Sequence, residues 1–171
     1  MGNNKRQILL VGATCLMLWG CGLGSALGST EEPTAVLPVS DKFTLARLSP
    51  SDGRLEDLLK VEAQKAQAAK QDPYVEFDAD WCPPCRALSA SLSDERMIDA
   101  FAGTYIIRLN LDKWKSQLPG PGFYVAGIPA FFEIDAEGKP TGRTITGAAW
   151  GEDIPENMAP PLKKFFRSTG D

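Results

Sequence analysis

Apolar side chains at Leu55, Leu58, Leu59, Ala63 and Ala66 recur every three or four residues, while the positions between them are mostly charged or amidic. That period predicts a helix over Ser51–Lys70. Ser51 stands where a hydroxyl can cap the first turn, and Asp72-Pro73 ends the run, because the residue before a proline is pushed out of helical space. The pattern then changes. Tyr74–Ala79 reads as a short strand, and Tyr105–Leu111 is apolar and β-prone without clean alternation, as a central strand buried on both faces should be. Ala130–Ile134 and Thr141–Thr146 read as two strands joined by Asp135-Ala136-Glu137-Gly138, a hairpin whose turn needs a residue with φ > 0. Ser93-Asp94-Glu95-Arg96 is a capped start for a short helix to Phe101. Lys113–Gly122, with its Pro-Gly-Pro-Gly, reads as a loop, and Leu162–Arg167 as a closing helix begun by Pro160-Pro161.

Helix, strand, helix, strand, hairpin and helix in that order predict an α/β domain over residues 51–171: a central mixed β-sheet flanked by helices. Residues 29–50, rich in Gly, Ser, Thr, Glu and Pro, read as a linker, although Val36–Leu48 holds enough apolar residues to add an edge strand. Residues 1–28 have the layout of a secretory signal, with Lys5 and Arg6 ahead of the apolar Ile8–Trp19 and small residues after it. Two cleavage sites compete. Leu18-Trp19-Gly20-Cys21 resembles a lipoprotein signal that would leave Cys21 as a lipid-modified first residue and a membrane tether; Ala26-Leu27-Gly28 fits an ordinary cut. Either way the expected location is exported and periplasmic.

Charge narrows the partners. The 171 residues carry a formal charge of −4 with no clustered basic face, which argues against nucleic acid. Of four cysteines, Cys15 and Cys21 lie in the signal region, so Cys82 and Cys85 have only each other. They sit in Asp78–Leu88, DADWCPPCRAL, at the end of the predicted Tyr74–Ala79 strand. Such a pair can be a staple, half of a metal site, or a redox couple. Metal is disfavoured, since tetrahedral zinc wants four ligands and the chain has no histidine. A staple closing so short a loop gains little by loop entropy. Pro83 and Pro84 lack N–H groups, which costs nothing in a first helical turn, so the prolines place Cys82 at a helix N-terminus and Cys85 one turn in.

YVEFDADWCPPCRAL (Tyr74–Leu88), with IIRLNLD (Ile106–Asp112) and VAGIPAFFEI (Val125–Ile134), resembles the thioredoxin superfamily over Ser51–Arg167, with Gly147 just after the last strand. SLSDERMIDAF is more similar to the C-terminal periplasmic domain of the transmembrane thiol:disulfide interchange protein, and to thioredoxin-like lipoproteins, than to cytosolic thioredoxin. The resemblance implies a thioredoxin fold and a redox-active disulfide without cofactor. It also implies protein or peptide disulfide substrates, an upstream thiol:disulfide partner and a monomer. Ile128-Pro129 is expected to be cis beside the cysteines, where neighbouring backbone pairs with a substrate peptide. The family's buried acid falls at Glu76 and its partner lysine at Arg108; both residues depart from the cytosolic pattern.

The site chemistry follows from that placement. A thiolate attacks a disulfide, so Cys82 is expected to be the nucleophile, with its charge favoured by the helix dipole and its sulfur exposed. Cys85 resolves the mixed disulfide, and Glu76, either buried beneath the pair or exposed on its strand, is the candidate proton acceptor. Trp81 either flanks and shields the site or is a core aromatic at a strand end. Trp114, Trp150, Phe131 and Phe132 are left to the core or a partner surface. Two prolines between the cysteines add no cation beside Cys82, which predicts a reducing or middling couple. The expected activity is protein-disulfide reduction outside the cytoplasm; the alternative is a non-catalytic binding module with a structural disulfide.

Overall fold

The computed structural model describes residues 37–40 and 42–168. Chain order is β1 (Leu37–Ser40), β2 (Phe43–Arg47), α1 (Leu55–Ala68), β3 (Asp72–Asp78), α2 (Pro83–Ser91), α3 (Glu95–Phe101), β4 (Thr104–Asn110), α4 (Leu111–Trp114), β5 (Ala130–Ile134), β6 (Pro140–Thr146) and α5 (Pro155–Arg167). The strands form one sheet in the order β1-β2-β4-β3-β5-β6. β2, β4 and β3 run parallel, β5 is antiparallel to β3, and β6 closes the expected hairpin. Gly138 has φ +81° in that hairpin turn, and Asp135 accepts from the N–H groups of Glu137 and Lys139. Among the described residues no helix is long and apolar enough to cross a membrane. The leader and the lipid site at Cys21 lie outside the described residues.

Alternation along the strands builds two cores. Ala46, Val75, Phe77, Ile107 and Leu109 face α1, where Leu55, Leu59, Ala63 and Ala66 are buried as the helical period requires. Phe43, Tyr74, Ile106 and Phe131 face the other way, against Leu88 of α2, Met97 and Phe101 of α3, and Met158, Leu162 and Phe166 of α5. All seven residues of β4 are buried, in line with a strand covered on both faces. Trp114, Trp150, Phe131 and Phe132 are core residues.

Four expectations about element limits need correction. Part of the expected linker is sheet: β2 pairs with β4 from Thr44↔Tyr105 to Arg47↔Arg108, so it is internal, and the edge strand is β1. Its partner lies far along the chain, beyond the reach of local composition. Ser51 does not cap α1. It sits in a 3-10 turn, Pro50–Asp52, capped by Ser49, whose N–H is bonded in return by the Asp52 carboxylate at 2.8 Å, and α1 starts only at Leu55. The loop expected from Lys113 is preceded by a turn of helix, because Asn110 caps Lys113 and Trp114 is pinned in the core with its indole N–H donating to the Leu48 carbonyl. Finally, α5 begins at Pro155 and runs through Pro160 and Pro161. Each interior proline forfeits a bond to the carbonyl four residues back, but burial of Met158, Ala159, Leu162 and Phe166 holds the helix across that gap.

Candidate active site

At the carboxyl end of β3 the chain turns through Ala79, Asp80 and Trp81, with the Cys82 N–H donating to the Ala79 carbonyl at 3.1 Å. Cys82 is the N-cap of α2, and Pro83 and Pro84 are its first two residues, where no intrahelical donor is missed. The Cys82 sulfur accepts the Cys85 N–H at 3.2 Å. It therefore lies at the positive end of a nine-residue helix, an arrangement that favours a thiolate. Here the two sulfurs are joined, with an S–S length of 2.09 Å. Neither cysteine is open in this oxidised state: each keeps 2% of its surface, with Ala79 and Ile128 packed around them. The expectation of an exposed Cys82 sulfur is thus not met in the disulfide form, where Ala79 and Ile128 pack against the pair.

Ile128-Pro129 is cis, and the Ile128 carbonyl oxygen lies 3.8 Å from the Cys82 sulfur. Pro129 is held from behind by Gly147, whose N–H donates to the Pro129 carbonyl at 2.9 Å. The approach is close, since a Cβ on Gly147 would meet the Pro129 Cδ at 3.2 Å. Pro84, Gly127, Ile128, Pro129, Thr146 and Asp153 help to line an open groove of about 220 Å³ there. Trp81 is not a core aromatic: it is 62% exposed, and its indole N–H donates to Asp112 at 2.7 Å. It flanks the cysteine turn on the solvent side.

Beneath the turn, three parallel strands set charges in a row. Arg47, Arg108 and Glu76 are in register across β2, β4 and β3, and the period of two puts them on the sheet face that carries α2. Glu76 is fully buried, and the Arg108 Nε–H donates to its Oε2 at 2.8 Å. A terminal guanidinium nitrogen lies equally near that oxygen but out of line for a hydrogen bond, and Glu76 Oε1 has no protein partner. Burial pushes the Glu76 carboxyl above its ordinary range, with Arg108 pulling the other way.

Asp78 lies one pleat nearer the cysteines. Arg47 pairs with both its oxygens, at 2.5 and 3.3 Å, and Arg108 Nε stands 3.8 Å from it. Arg47, Asp78, Ala79, Asp80, Cys85, Arg86 and Ser89 enclose an open cavity of about 420 Å³. Cys82, Cys85, Trp81 and Pro129 are thus gathered around the turn, while Glu76 lies in the buried row and does not line the Cys85 cavity. Sequence reasoning missed Arg47, Asp78 and Asp112. Asp78 was signalled by its spacing of two from Glu76, which puts both on one face; Arg47 was hidden in the supposed linker.

Among known proteins, the family model described as Thioredoxin matches residues 59–159. The chain is 31% identical over 111 residues to protein disulfide isomerase-like 5-3 of Oryza sativa subsp. japonica, covering 64% of this chain and 25% of that protein. It is 29% identical over 106 residues to the chloroplastic thioredoxin-like protein HCF164 of the same organism, covering 60% of this chain and 40% of that one. The chain therefore spans less than half the length of these curated relatives. A solved disulphide isomerase from Xylella fastidiosa Temecula1 aligns at 21% identity with a TM-score of 0.48, over 64% of this chain and 86% of that chain.

Proposed function

The chain belongs to the thioredoxin family, and from that premise we propose that it is a protein-disulfide reductase that acts outside the cytoplasm through Cys82 and Cys85. One observation carries the reading: the Cys82 sulfur caps α2, receives the Cys85 N–H and is already bonded to Cys85, so the pair sits in the geometry that interconversion needs. In the reduced form the Cys82 thiolate attacks one sulfur of a substrate disulfide and displaces the other as a thiolate. Cys85 then loses its proton and attacks the Cys82 sulfur, releasing the second substrate thiol. Two electrons have passed to the substrate, and a dithiol donor must return them.

The groove beside Pro129 lies within reach of Cys82 and supplies backbone on which an extended substrate segment can lie. Trp81 stands exposed directly before Cys82, with its indole N–H on Asp112. Reduction is favoured over oxidation because neither Pro83 nor Pro84 adds a cation that would further stabilise the reduced thiolate. Export rests on Lys5, Arg6 and the apolar Ile8–Trp19, and tethering on lipid at Cys21.

Equilibration of the pair against glutathione or dithiothreitol buffers tests the chemistry. A potential near about −270 mV supports a reductase, and one near about −120 mV overturns that direction. A pair that never equilibrates points instead to a structural disulfide. Cell fractionation, with labelling by a radioactive fatty acid that is lost in Cys21→Ser, tests location and tether.

A further inference from the structure

Of the residues that line the groove beside Pro129, only Asp153 is ionisable. Its carboxylate is fixed from the core: Oδ1 accepts the Trp150 indole N–H at 3.0 Å, and Trp150 is buried, with its ring 3.5 Å from where a Cβ on Gly147 would stand. The carboxylate makes no ion pair among the described residues, and no lysine or arginine lines the groove to neutralise it. The cavity that Cys85 lines is different, because Arg47 and Arg86 share it with Asp78 and Asp80. One opening at the cysteine turn is therefore balanced in charge, and the other is negative.

Resting on the oxidoreductase reading, we propose that Asp153 is a specificity residue, which selects substrate disulfides flanked by lysine or arginine. The groove begins at the redox pair: Pro84 lies between the two cysteines in the chain, and the Ile128 carbonyl oxygen is 3.8 Å from the Cys82 sulfur. A segment lying there with its disulfide at Cys82 brings the side chains next to its own cysteine along the wall that holds Asp153. A basic side chain suits that wall, because its apolar stem can cover Pro84 and Ile128 while its charged head pairs with the carboxylate. An acidic side chain meets a like charge that nothing in the groove offsets, so it is selected against. Glu152, exposed and next in the chain, adds to the same sign without lining the groove. Trp150 holds Asp153 in place before any substrate arrives, which lowers the cost of ordering the contact. Asp153 takes neither proton nor electron. It acts on which disulfide is seated against Cys82, and the exchange itself is unchanged.

The test uses the full chain with Cys15→Ser and Cys21→Ser, reduced and mixed with disulfide-linked dimers of a blocked peptide whose single cysteine is flanked by two lysines, two glutamines or two glutamates. Release of peptide thiol gives a rate constant for each dimer. Division by the rate of the same dimer with dithiothreitol removes its intrinsic reactivity. The corrected ratio of lysine to glutamate peptide should be at least about fivefold in low salt and shrink toward one at about 0.5 M sodium chloride, as attraction between charges within reach of solvent does. Asp153→Asn, which keeps an oxygen for the Trp150 indole, should bring the ratio within about twofold of one, and Asp153→Lys should invert it. Glu152→Gln should keep most of the preference. Because a ratio is read, a general loss of rate cancels. If the Asp153 variants fail to fold, Ala148→Lys, which sets a cation on an exposed position of the same groove, should erase the preference instead. A parent ratio near one, a preference that survives Asp153→Asn or Ala148→Lys, or an equal loss in Glu152→Gln overturns the proposal. A parent that reduces none of the three peptides overturns the oxidoreductase reading as well, so the two failures are distinguishable.

Discussion

Arg108 and Glu76 stand opposite one another on adjacent strands, joined by a 2.8 Å bond from Nε to Oε2, with both side chains buried from solvent. Taking two charges out of water is expensive, and here the hydrogen bonding is incomplete, since Glu76 Oε1 has no protein partner. The pair is therefore a poor source of stability, and its protonation state is tied to folding.

That tie has a sign. Burial raises the Glu76 carboxyl above its unfolded value, so the native state binds the proton more tightly than the unfolded chain. The stabilisation from this group is complete below the unfolded carboxylate range, about 4.3, and is lost as pH rises through the raised native value. Glu76→Gln removes the dependence. The unfolding free energy of the parent minus that of the variant, from urea titrations, should fall as pH rises from 4 to 8, and a flat difference would contradict the burial effect.

Gly147 tests the groove. A methyl there presses on the Pro129 ring from 3.2 Å, so Gly147→Ala should cost about 1–3 kcal/mol of stability as a one-carbon overpacking. It should nonetheless raise the KM for a disulfide-bonded protein several-fold, while the reaction of Cys82 with a small aromatic disulfide stays within twofold. Equal losses on both substrates would place the defect at the cysteines.

At Gly138 the constraint is backbone on backbone. With φ +81°, a Cβ would lie 2.8 Å from backbone atoms of Leu59 and Lys60 in α1. Gly138→Ala should therefore lose about 2 kcal/mol or more, from left-handed strain plus the forced separation of turn and helix. Thermal unfolding measures it, and a loss below about 0.5 kcal/mol would show that the turn can lift away at little cost.

Phe43 tests the sheet. Its ring is buried against Phe101, with centroids 5.4 Å apart. Phe43→Ala should cost about 3–5 kcal/mol, and a chain beginning at Ser51, which lacks β2 and bares the edge of β4, should give no cooperative unfolding transition by circular dichroism.

The contrast between β2 and the cysteine turn explains what was legible in the sequence. Cys82, Pro83, Pro84 and Cys85 lie together in the chain, and a proline pair beside a strand end states its helix start locally. β4 announces itself as a continuous apolar, β-prone run, and the hairpin and the face of α1 by their own period. The strand Phe43–Arg47 does not, because what makes it a strand is pairing with Tyr105–Arg108, and composition around it suggests a tether. With at most one edge strand expected over Val36–Leu48, Arg47 had no assigned neighbour, and without Arg47 nothing distinguished Asp78 from any polar residue beside the motif. The side of the sheet taken by Glu76 depends on the phase of an alternation only seven residues long, and packing against α2 sets that phase.

The closed cover over the oxidised pair separates two questions that a reduction potential merges. A potential states where electrons rest at equilibrium, but a sulfur must be struck along the axis of the bond it breaks, and with 2% of each cysteine's surface open that line of approach is obstructed. Fewer collisions with a small thiol are then productive, so the cover sets how fast the disulfide is reduced, while the potential sets how far.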